Sequence, residues 1–281
     1  MGIETALALI ESVKSKRALF IGETIVDEYR FVSPLAKPSK ENILAVKLER
    51  VETYLGGVVA AARHAESFCK ASFASPLGRV RKVRYVEDGG RKLFEVQTLP
   101  NELGELSAHS NDQDVFAITD FGHGLPLLSS DGFLAVATQT NAANHGFNLI
   151  TKYGKADYIV IDEPEARLAA ADRHSPIEEV IRKLAAGRCA KFVVTHGKHG
   201  AYGWDGERFY HSKAMSDRVV DTMGAGDAFF AVTAPMAKTG SMEDLLLIGN
   251  AAGALKTRIL GHREAVTKTA LIDFLKAHEP H

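Results

Sequence analysis

Residues 221–227 have the sequence D-T-M-G-A-G-D, and an apolar stretch from 228 to about 237 follows them. The pattern predicts an extended run at 217–220, a tight turn of small residues and then a helix. Small residues let several backbone N–H groups converge, and the positive end of the helix dipole adds to them. Such a turn suits a phosphate or another developing anion. Asp227 lies in the first helical turn, where a carboxylate either caps the helix or acts as a base beside the anion.

The composition is that of a globular protein that can bury a large core. The chain has 281 residues, is 46% hydrophobic and 25% charged, and carries a formal net charge of −1. This length fits one α/β domain, or one domain with a small appendage. The balanced charge gives no support for a nucleic-acid partner. The densest basic run, 79–84, alternates with valines and so predicts a strand with one solvated face.

Cysteine usage and hydropathy favour a cytoplasmic protein without membrane contact. Cys69 and Cys189 are far apart and offer neither a disulfide framework nor metal-ligand spacing. The N-terminal segment 2–16 is amphipathic and too acidic for a signal peptide. No apolar run approaches the length of a membrane helix.

Several short apolar strands end in polar residues. Strands alternate with helical segments through most of the chain, which predicts a parallel sheet. The carboxyl ends of such strands meet at one edge, where ligands bind in α/β sheets. The strands are expected at 17–22, 115–119, 133–138, 158–161 and 192–194.

A second group of strand-like segments predicts a small antiparallel sheet apart from the main one. The apolar positions of its second segment indicate that one face of this sheet is covered. Gly56 and Gly57 follow that segment and allow either a tight turn or close approach of a ligand to the backbone. The second sheet is expected to comprise residues 28–54 and 81–98, and the α/β core residues 1–27, 55–80 and 99–281.

The D-T-x-G-A-G-D segment with its aromatic pair resembles the C-terminal signature of the ribokinase-like (PfkB) carbohydrate kinases. The likeness covers about 17–261 and, within the family, is greatest to the bacterial heptose-phosphate 1-kinases, through G-E-T-I-V-D-E-Y, Y-L-G-G, D-F-G-H-G and D-E-P-E. It implies a central, mostly parallel sheet flanked by helices. The second sheet would be a β lid over the sugar site, and often also a homodimer contact.

The resemblance also implies a role for particular residues in an ATP-dependent phosphotransfer to a sugar. Asp227 would be the catalytic base, with the backbone of Gly224, Ala225 and Gly226 as the anion hole. The sugar would contact Asp27, Gly56, Gly57 and His123, with Arg63 or His64 helping. ATP would contact Thr195, Gly197 and Asn250; Mg²⁺ would lie near Asp162 and Glu165; and Asp221 would join a loop that holds a monovalent cation such as K⁺.

Structural interpretations stand beside these roles. Asp27 could be a turn residue, and a histidine in a loop such as His123 could be an ordinary surface residue. Glu163, or less readily Glu165, could cap the helix after Pro164. The family's Asn after the paired glycines is absent, and Asp162 replaces an Asn.

Two internal segments are shorter than the family pattern. The interval 71–80 is too short for a strand-helix-strand unit, which takes about 30 residues. The helix after the next strand is expected to be cut to 126–131. The resemblance therefore implies a sugar kinase with a reduced central sheet, for which a heptose 7-phosphate, phosphorylated at C1, is the expected acceptor. The alternatives are a kinase for another sugar or a nucleoside, and a kinase-fold binding protein with little catalysis.

Overall fold

The computed structural model describes residues 2–38, 40–100, 104–107, 110, 112–128, 130–215 and 218–278. Its strands are β1 (Arg17–Gly22), β2 (Thr24–Pro34), β3 (Val46–Gly57), β4 (Lys70–Ala74), β5 (Val80–Val86), β6 (Lys92–Thr98), β7 (Val115–Asp120), β8 (Phe133–Thr138), β9 (Tyr158–Asp162), β10 (Lys191–Thr195), β11 (Ala201–Trp204) and β12 (Phe209–Ser212). Its α-helices are α1 (Ile3–Ser12), α2 (Val58–Ala65), α3 (Glu163–Ala170), α4 (Ile177–Ala185), α5 (Ala225–Thr233), α6 (Met242–Thr257) and α7 (Lys268–Ala277).

The main sheet has eight strands in the order β12-β11-β10-β9-β8-β7-β1-β4. Within this sheet, β10, β9, β8, β7, β1 and β4 pair in parallel. The strands β11 and β12 add an antiparallel hairpin at the edge next to β10. Successive side chains of a strand enter opposite cores: Phe20 packs on the side of α1, α2, α5, α6 and α7, whereas Leu19 packs on the side of α3 and α4. Burial on both faces explains why these strands are nearly continuous apolar runs.

The second sheet, called the lid below, has the order β3-β2-β5-β6. Its outer pairs are antiparallel, but β2 and β5 are parallel, because the chain reaches β5 by a crossover through α2 and β4. The period of two places Asp27 beside Lys82, and Tyr29 beside Arg84, on one face. That face is buried, whereas the opposite face carries exposed apolar side chains.

The exposed face of the lid contradicts the expectation that the apolar positions of β3 are covered. Val51, Arg30, Tyr85 and Phe94 lie side by side across the four strands, on one face of the lid. Val51 is 48% exposed and Phe94 is 43% exposed. Leu48, at 53%, is also exposed.

Most expected elements are present, and the differences lie in short segments. The helix expected at 126–131 is wrong, since the described residues of that interval are not helical. Residues 218–220 are not a strand either, and 217 lies outside the described residues. The interval 71–80 supplies only the end of β4 and the start of β5, while β11 and β12 were not expected at all. Within the described chain, no helix has the length and apolar character needed to span a membrane.

Candidate active site

The turn before α5 leaves several backbone donors free. Gly224 has φ 75° and ψ 8°, a left-handed conformation that glycine adopts without strain, and α5 begins at the next residue. Among the described residues, no acceptor hydrogen-bonds to the N–H groups of Gly224, Gly226 or Asp227. An added Cβ at Gly226 would meet nothing within 4 Å. The turn is therefore an open cluster of N–H groups at a helix N-terminus, which is an anion site by its chemistry.

Asp227 is not a capping residue. The N-cap of α5 is Gly224, and no side chain hydrogen-bonds to that helix end. Asp227 is half-buried in the first turn. Burial raises the pKa of Asp227, and the positive charges of His262, Lys256 and Lys82 oppose that rise. A carboxylate with a raised pKa and no hydrogen-bond partner in the described part of the chain is suited to accept a proton.

Asp27 is an ion-paired carboxylate on β2, only 2% exposed. One of its oxygens accepts a hydrogen bond from the Arg84 guanidinium, and the other lies 3.3 Å from Nε2 of His262. Burial acts to raise the pKa of Asp27, but the His262 hydrogen bond and the Arg84 charge outweigh it, and the pKa is lowered. Asp27 is therefore an ionised strand residue rather than part of a turn.

The paired glycines have separate steric reasons. A Cβ on Gly56 would lie 2.2 Å from Oδ2 of Asp27 and 2.9 Å from Nε2 of His262. A Cβ on Gly57 would lie 2.2 Å from the carbonyl oxygen of Glu23, and Gly57 has φ 63°. Gly56 thus makes room for the pairing of Asp27, and Gly57 for the close approach of two strands.

Two more polar side chains lie near Asp27 and Asp227. Lys82 is 7% exposed, and no ion pair or hydrogen bond joins its ammonium to another described residue. Burial lowers the pKa of Lys82, against the charge of Asp27. Nε2 of His123 is buried without a partner in the described chain. Burial and the Lys82 charge lower the pKa of His123 to about 4, so its imidazole is neutral at physiological pH.

Glu23 holds the loop that carries His123. It is 1% exposed, and its two carboxylate oxygens accept hydrogen bonds from the N–H groups of Phe121 (3.0 Å) and His123 (2.8 Å). Burial and the neighbouring Asp120 charge raise the pKa of Glu23, partly offset by those N–H donors. The position of His123 therefore depends on Glu23, a residue that carried no role in the sequence analysis.

Asp162 and Glu165 form a reciprocal cap at the start of α3. The Asp162 carboxylate accepts from the Glu165 N–H (2.8 Å), and the Glu165 carboxylate accepts from the N–H groups of Asp162 (2.9 Å) and Thr140 (2.8 Å). The capping interpretation of Glu165 is thus confirmed. Burial and the charge of Asp162 raise the pKa of Glu165 to about 8, and Asp227 adds to that effect. The charges of Asp162 and Asp227 thus both oppose ionisation of Glu165.

A cavity of about 990 Å³ connects that wall with the nucleotide-side residues of the sequence analysis. Thr195, Gly197 and Asn250 line it, and so do Asp162, Glu165 and the whole turn from Gly224 to Asp227. Asn250 is held in place by donating hydrogen bonds to the carbonyls of Ser212 (2.9 Å) and Lys213 (3.1 Å).

Arg63 and His64 do not line this cavity. Arg63 is exposed on α2, and no hydrogen bond or ion pair to a described residue directs it to the site. His64 is buried and accepts a hydrogen bond from the N–H of Val266, while burial lowers its pKa to about 3. His64 therefore packs α2 against the C-terminal segment.

Five buried polar residues near the site were not predicted from the sequence: Glu23, Lys82, Arg84, Lys256 and His262. The strand with one solvated face expected at 79–84 is present as β5, with Arg81 exposed, but Lys82 and Arg84 lie on its buried face. Both share the buried face of β5 with Val80, so the strict period of two could have placed them inward. His262 lies just beyond residue 261, where the resemblance to the family ends. The sequence around it gives no sign that it would pair with Asp27.

Comparison with known proteins supports the resemblance. A model of the pfkB family of carbohydrate kinases matches residues 147–269. Probable fructokinase-6 of Arabidopsis thaliana, described as chloroplastic, is 30% identical over 165 residues, which are 53% of this chain and 41% of that protein. The chain thus aligns with less than two thirds of the length of this curated relative.

Solved structures share the fold across nearly the whole chain. Ribokinase of Arabidopsis thaliana, complexed with ribose and ATP, matches with a TM-score of 0.70 and 15% identity, covering 93% of this chain and 99% of that one. Phosphofructokinase-2 of Escherichia coli, in complex with potassium, has a TM-score of 0.68 and 13% identity, with 94% and 99% covered. The fold is therefore ribokinase-like, and the family-model match and the relative support a place among the PfkB carbohydrate kinases.

Proposed function

We propose that this protein is an ATP-dependent sugar kinase that transfers the γ-phosphoryl group to an alcohol. The observation that carries this proposal is the turn before α5, where N–H groups and a carboxyl that have no hydrogen-bond partner among the described residues line one wall of the cavity. Phosphoryl transfer needs such a pair, because charge develops on the phosphoryl oxygens while the acceptor hydroxyl loses its proton. Asp227 takes that proton, and the N–H groups of Gly224 and Gly226 stabilise the charge, whereas the N–H of Ala225 is bonded to the Thr222 carbonyl (3.4 Å).

ATP would enter from the nucleotide side of the cavity. Its base would lie on the Asn250 side and its phosphates near Thr195 and Gly197, toward the turn, since all three residues line the same cavity as the turn. Mg²⁺ is usually bound through one or two carboxylates together with phosphates and waters. Asp162 and Glu165 fit that need because both line the same cavity, and the neighbouring carboxylate charges disfavour an ionised Glu165 unless a cation is present. When bound, Mg²⁺ would neutralise phosphate charge, and it would favour the ionised form of Glu165.

The acceptor is proposed to be a sugar phosphate, with a heptose 7-phosphate at C1 as the first choice. Asp27 is fixed by Arg84 and His262, so it can accept hydrogen bonds from sugar hydroxyls without moving. Lys82 has no counter-ion in the described chain although it is buried. The Lys82 ammonium ends a largely buried side chain and has no counter-ion among the described residues, and an anionic group on the acceptor would supply that partner.

The function is tested by measuring ADP release from Mg-ATP across a panel of sugars, sugar phosphates and nucleosides. Heptose 7-phosphates belong in the panel, and the product is identified by its ³¹P spectrum. Turnover of one phosphorylated sugar, with a new phosphate ester at C1 in the heptose case, supports the proposal. ATP binding without turnover on the whole panel would contradict it and would favour a binding protein with the kinase fold.

The phosphate specificity is tested by Lys82→Met. The variant keeps most of the side-chain volume but loses the charge, so KM for a phosphorylated acceptor should rise on the order of 10-fold or more. KM for the matching unphosphorylated sugar should barely change. Arg81→Met is the matched control, because Arg81 is the exposed neighbour on the opposite face and pairs with Glu28. Equal losses on both acceptors would contradict the phosphate assignment.

We also propose a homodimer through the lid. Val51, Phe94 and Leu48 lie on its outer face and are roughly half exposed. A group of exposed apolar side chains on one sheet face is more typical of an interface than of a solvated surface. Light scattering of the wild type and of Phe94→Glu tests this, since the substitution should shift a dimer to the monomer. A wild type that is monomeric at all concentrations would contradict it.

A further inference from the structure

Lys256 is a fully buried lysine whose ammonium touches the turn before α5. It lies on the last turn of α6 and is 0% exposed. Its Nζ donates to the carbonyl oxygens of Met223 (2.8 Å) and Gly261 (2.8 Å) and lies 3.5 Å from that of Ile259. No carboxylate of the described residues forms an ion pair with Nζ. A lysine that is surrounded by backbone carbonyls needs an explanation, since lysine is rarely buried without a counter-ion.

Asp221 binds the N–H groups of Met223 and Gly261, the two residues whose carbonyl oxygens bind Lys256. Its carboxylate accepts from the N–H of Met223 (3.1 Å) and from the N–H of Gly261 (3.0 Å). Lys256 therefore holds the two carbonyls, and Asp221 the two N–H groups, of the same pair of residues. Lys92 adds a third donor to Asp221, at 3.0 Å. The carboxylate that was expected to join a cation loop is thus occupied by protein donors.

Carbonyl oxygens converging on a single positive charge are the donor set that a monovalent cation takes. We propose that the Lys256 ammonium is the built-in monovalent cation of this site, so that the kinase neither needs K⁺ nor binds it at the turn. This proposal rests on the proposed kinase function only where turnover is measured. The ammonium supplies the same charge as K⁺ and adds directional N–H bonds, and its covalent tether keeps it there at any salt concentration.

The geometry gives Lys256 a positioning role in the reaction. A trans peptide directs its C=O and N–H in opposite directions. Because the Met223 carbonyl points to Lys256, the N–H of Gly224 in the same peptide points away from it and stays free for an anion. Gly261 is followed by His262, which pairs with Asp27. Lys256 thus joins the anion turn to the loop that fixes the acceptor carboxylate, without touching a reacting atom.

The first experiment measures turnover of the wild type in K⁺-free, Na⁺-free buffer and then with added KCl, choline chloride serving as the ionic-strength control. The expected result is no activation by K⁺. Lys256→Ala should lose turnover on the order of 10²-fold, because the peptide that carries the N–H of Gly224 is no longer held in place and that donor is lost to the transition state. K⁺ or NH₄⁺ should restore part of that loss, which a merely structural lysine would not allow. KM for ATP should change less than kcat.

Lys191→Met is the matched control. Lys191 also donates to two backbone carbonyls, those of Ala237 (2.7 Å) and Gly240 (2.6 Å), but it lies away from the turn. This variant should lose stability without acquiring cation dependence. K⁺ activation of the wild type, or a Lys256→Ala variant that is folded and fully active without cations, would overturn the proposal.

The second experiment does not depend on turnover or on a stable variant. Wild-type crystals soaked in a Tl⁺ salt are examined for anomalous density at the carbonyl oxygen of Met223. Absence of Tl⁺ there, with Tl⁺ bound elsewhere or not at all, supports the proposal. A Tl⁺ ion bonded to that oxygen would overturn it. If no acceptor is phosphorylated, the kinase function fails while this measurement still decides the cation question.

Discussion

Gly56→Ala is the substitution that most directly perturbs the acceptor site. The new Cβ would lie 2.2 Å from Oδ2 of Asp27 and 2.9 Å from Nε2 of His262, and neither distance is tolerated by real side chains. Asp27 is held from its other side by Arg84. The carboxylate must therefore rotate away from His262 while it remains buried, and the proposed contact with a sugar hydroxyl would be lost with it.

The size of the effect follows from that lost contact. A hydrogen bond to a charged group contributes about 1.5–3 kcal/mol, which corresponds to roughly 10- to 150-fold in kcat/KM for the acceptor. Overpacking should lower the free energy of unfolding by about 1–3 kcal/mol. ATP binding should be unchanged, since Gly56 does not line the nucleotide cavity.

Acceptor kinetics, calorimetric ATP titration and urea unfolding measure these effects separately. Gly154→Ala is the matched control, because an added Cβ at Gly154 meets nothing within 4 Å and Gly154 has no positive φ. Wild-type kcat/KM in Gly56→Ala would refute the assignment of Asp27 to the acceptor. A loss of ATP affinity equal to the loss of acceptor affinity would refute the separation of the two subsites.

Two further substitutions test the carboxylates around the site. Without Mg²⁺, the free energy of unfolding of the wild type should fall as pH rises from 4.5 toward 8, because Glu165 has its pKa raised in the folded state and ionises more easily once unfolded. Glu165→Gln should flatten that decline in urea titrations and raise the Mg²⁺ concentration needed for turnover; an unchanged pH slope would contradict the raised pKa. Glu23→Gln replaces one acceptor of the Phe121 and His123 N–H groups by a donor, so KM for the acceptor should rise about 10-fold with KM for ATP unchanged. If Glu23→Gln changed KM for ATP and left KM for the acceptor unchanged, the role of Glu23 in placing His123 would be contradicted.

Local patterns predicted the fold because each of its determinants is close in sequence. Apolar strands such as β7, whose six residues are all buried, and glycine-rich turns such as the one at Gly224 have signatures within a few residues. The prediction of a short helix at 126–131 was wrong because so short a helix is marginal on its own, and composition does not show whether tertiary packing stabilises it. The strands β11 and β12, of four residues each, are too short for a reliable alternation signal.

The candidate site was predicted only in part, since its partners come from distant segments. Asp27 meets His262 across most of the chain length, and the pairing depends on the close approach that Gly56 allows. The burial of Lys82 depends on which face of the lid turns inward, which a single strand does not reveal. Lys256 occupies a cluster of carbonyls, and the direction of a carbonyl group leaves no trace in the sequence.

The central claim is that Asp227 accepts the proton of the attacking hydroxyl. It is tested by single-turnover phosphorylation of the identified acceptor with wild type and Asp227→Asn, together with the ATP dissociation constant of each. The variant keeps the shape of the side chain but cannot act as a base, so the rate should fall on the order of 10²- to 10⁴-fold while ATP affinity stays nearly the same. An Asp227→Asn variant that phosphorylates the acceptor at the wild-type rate would contradict the account.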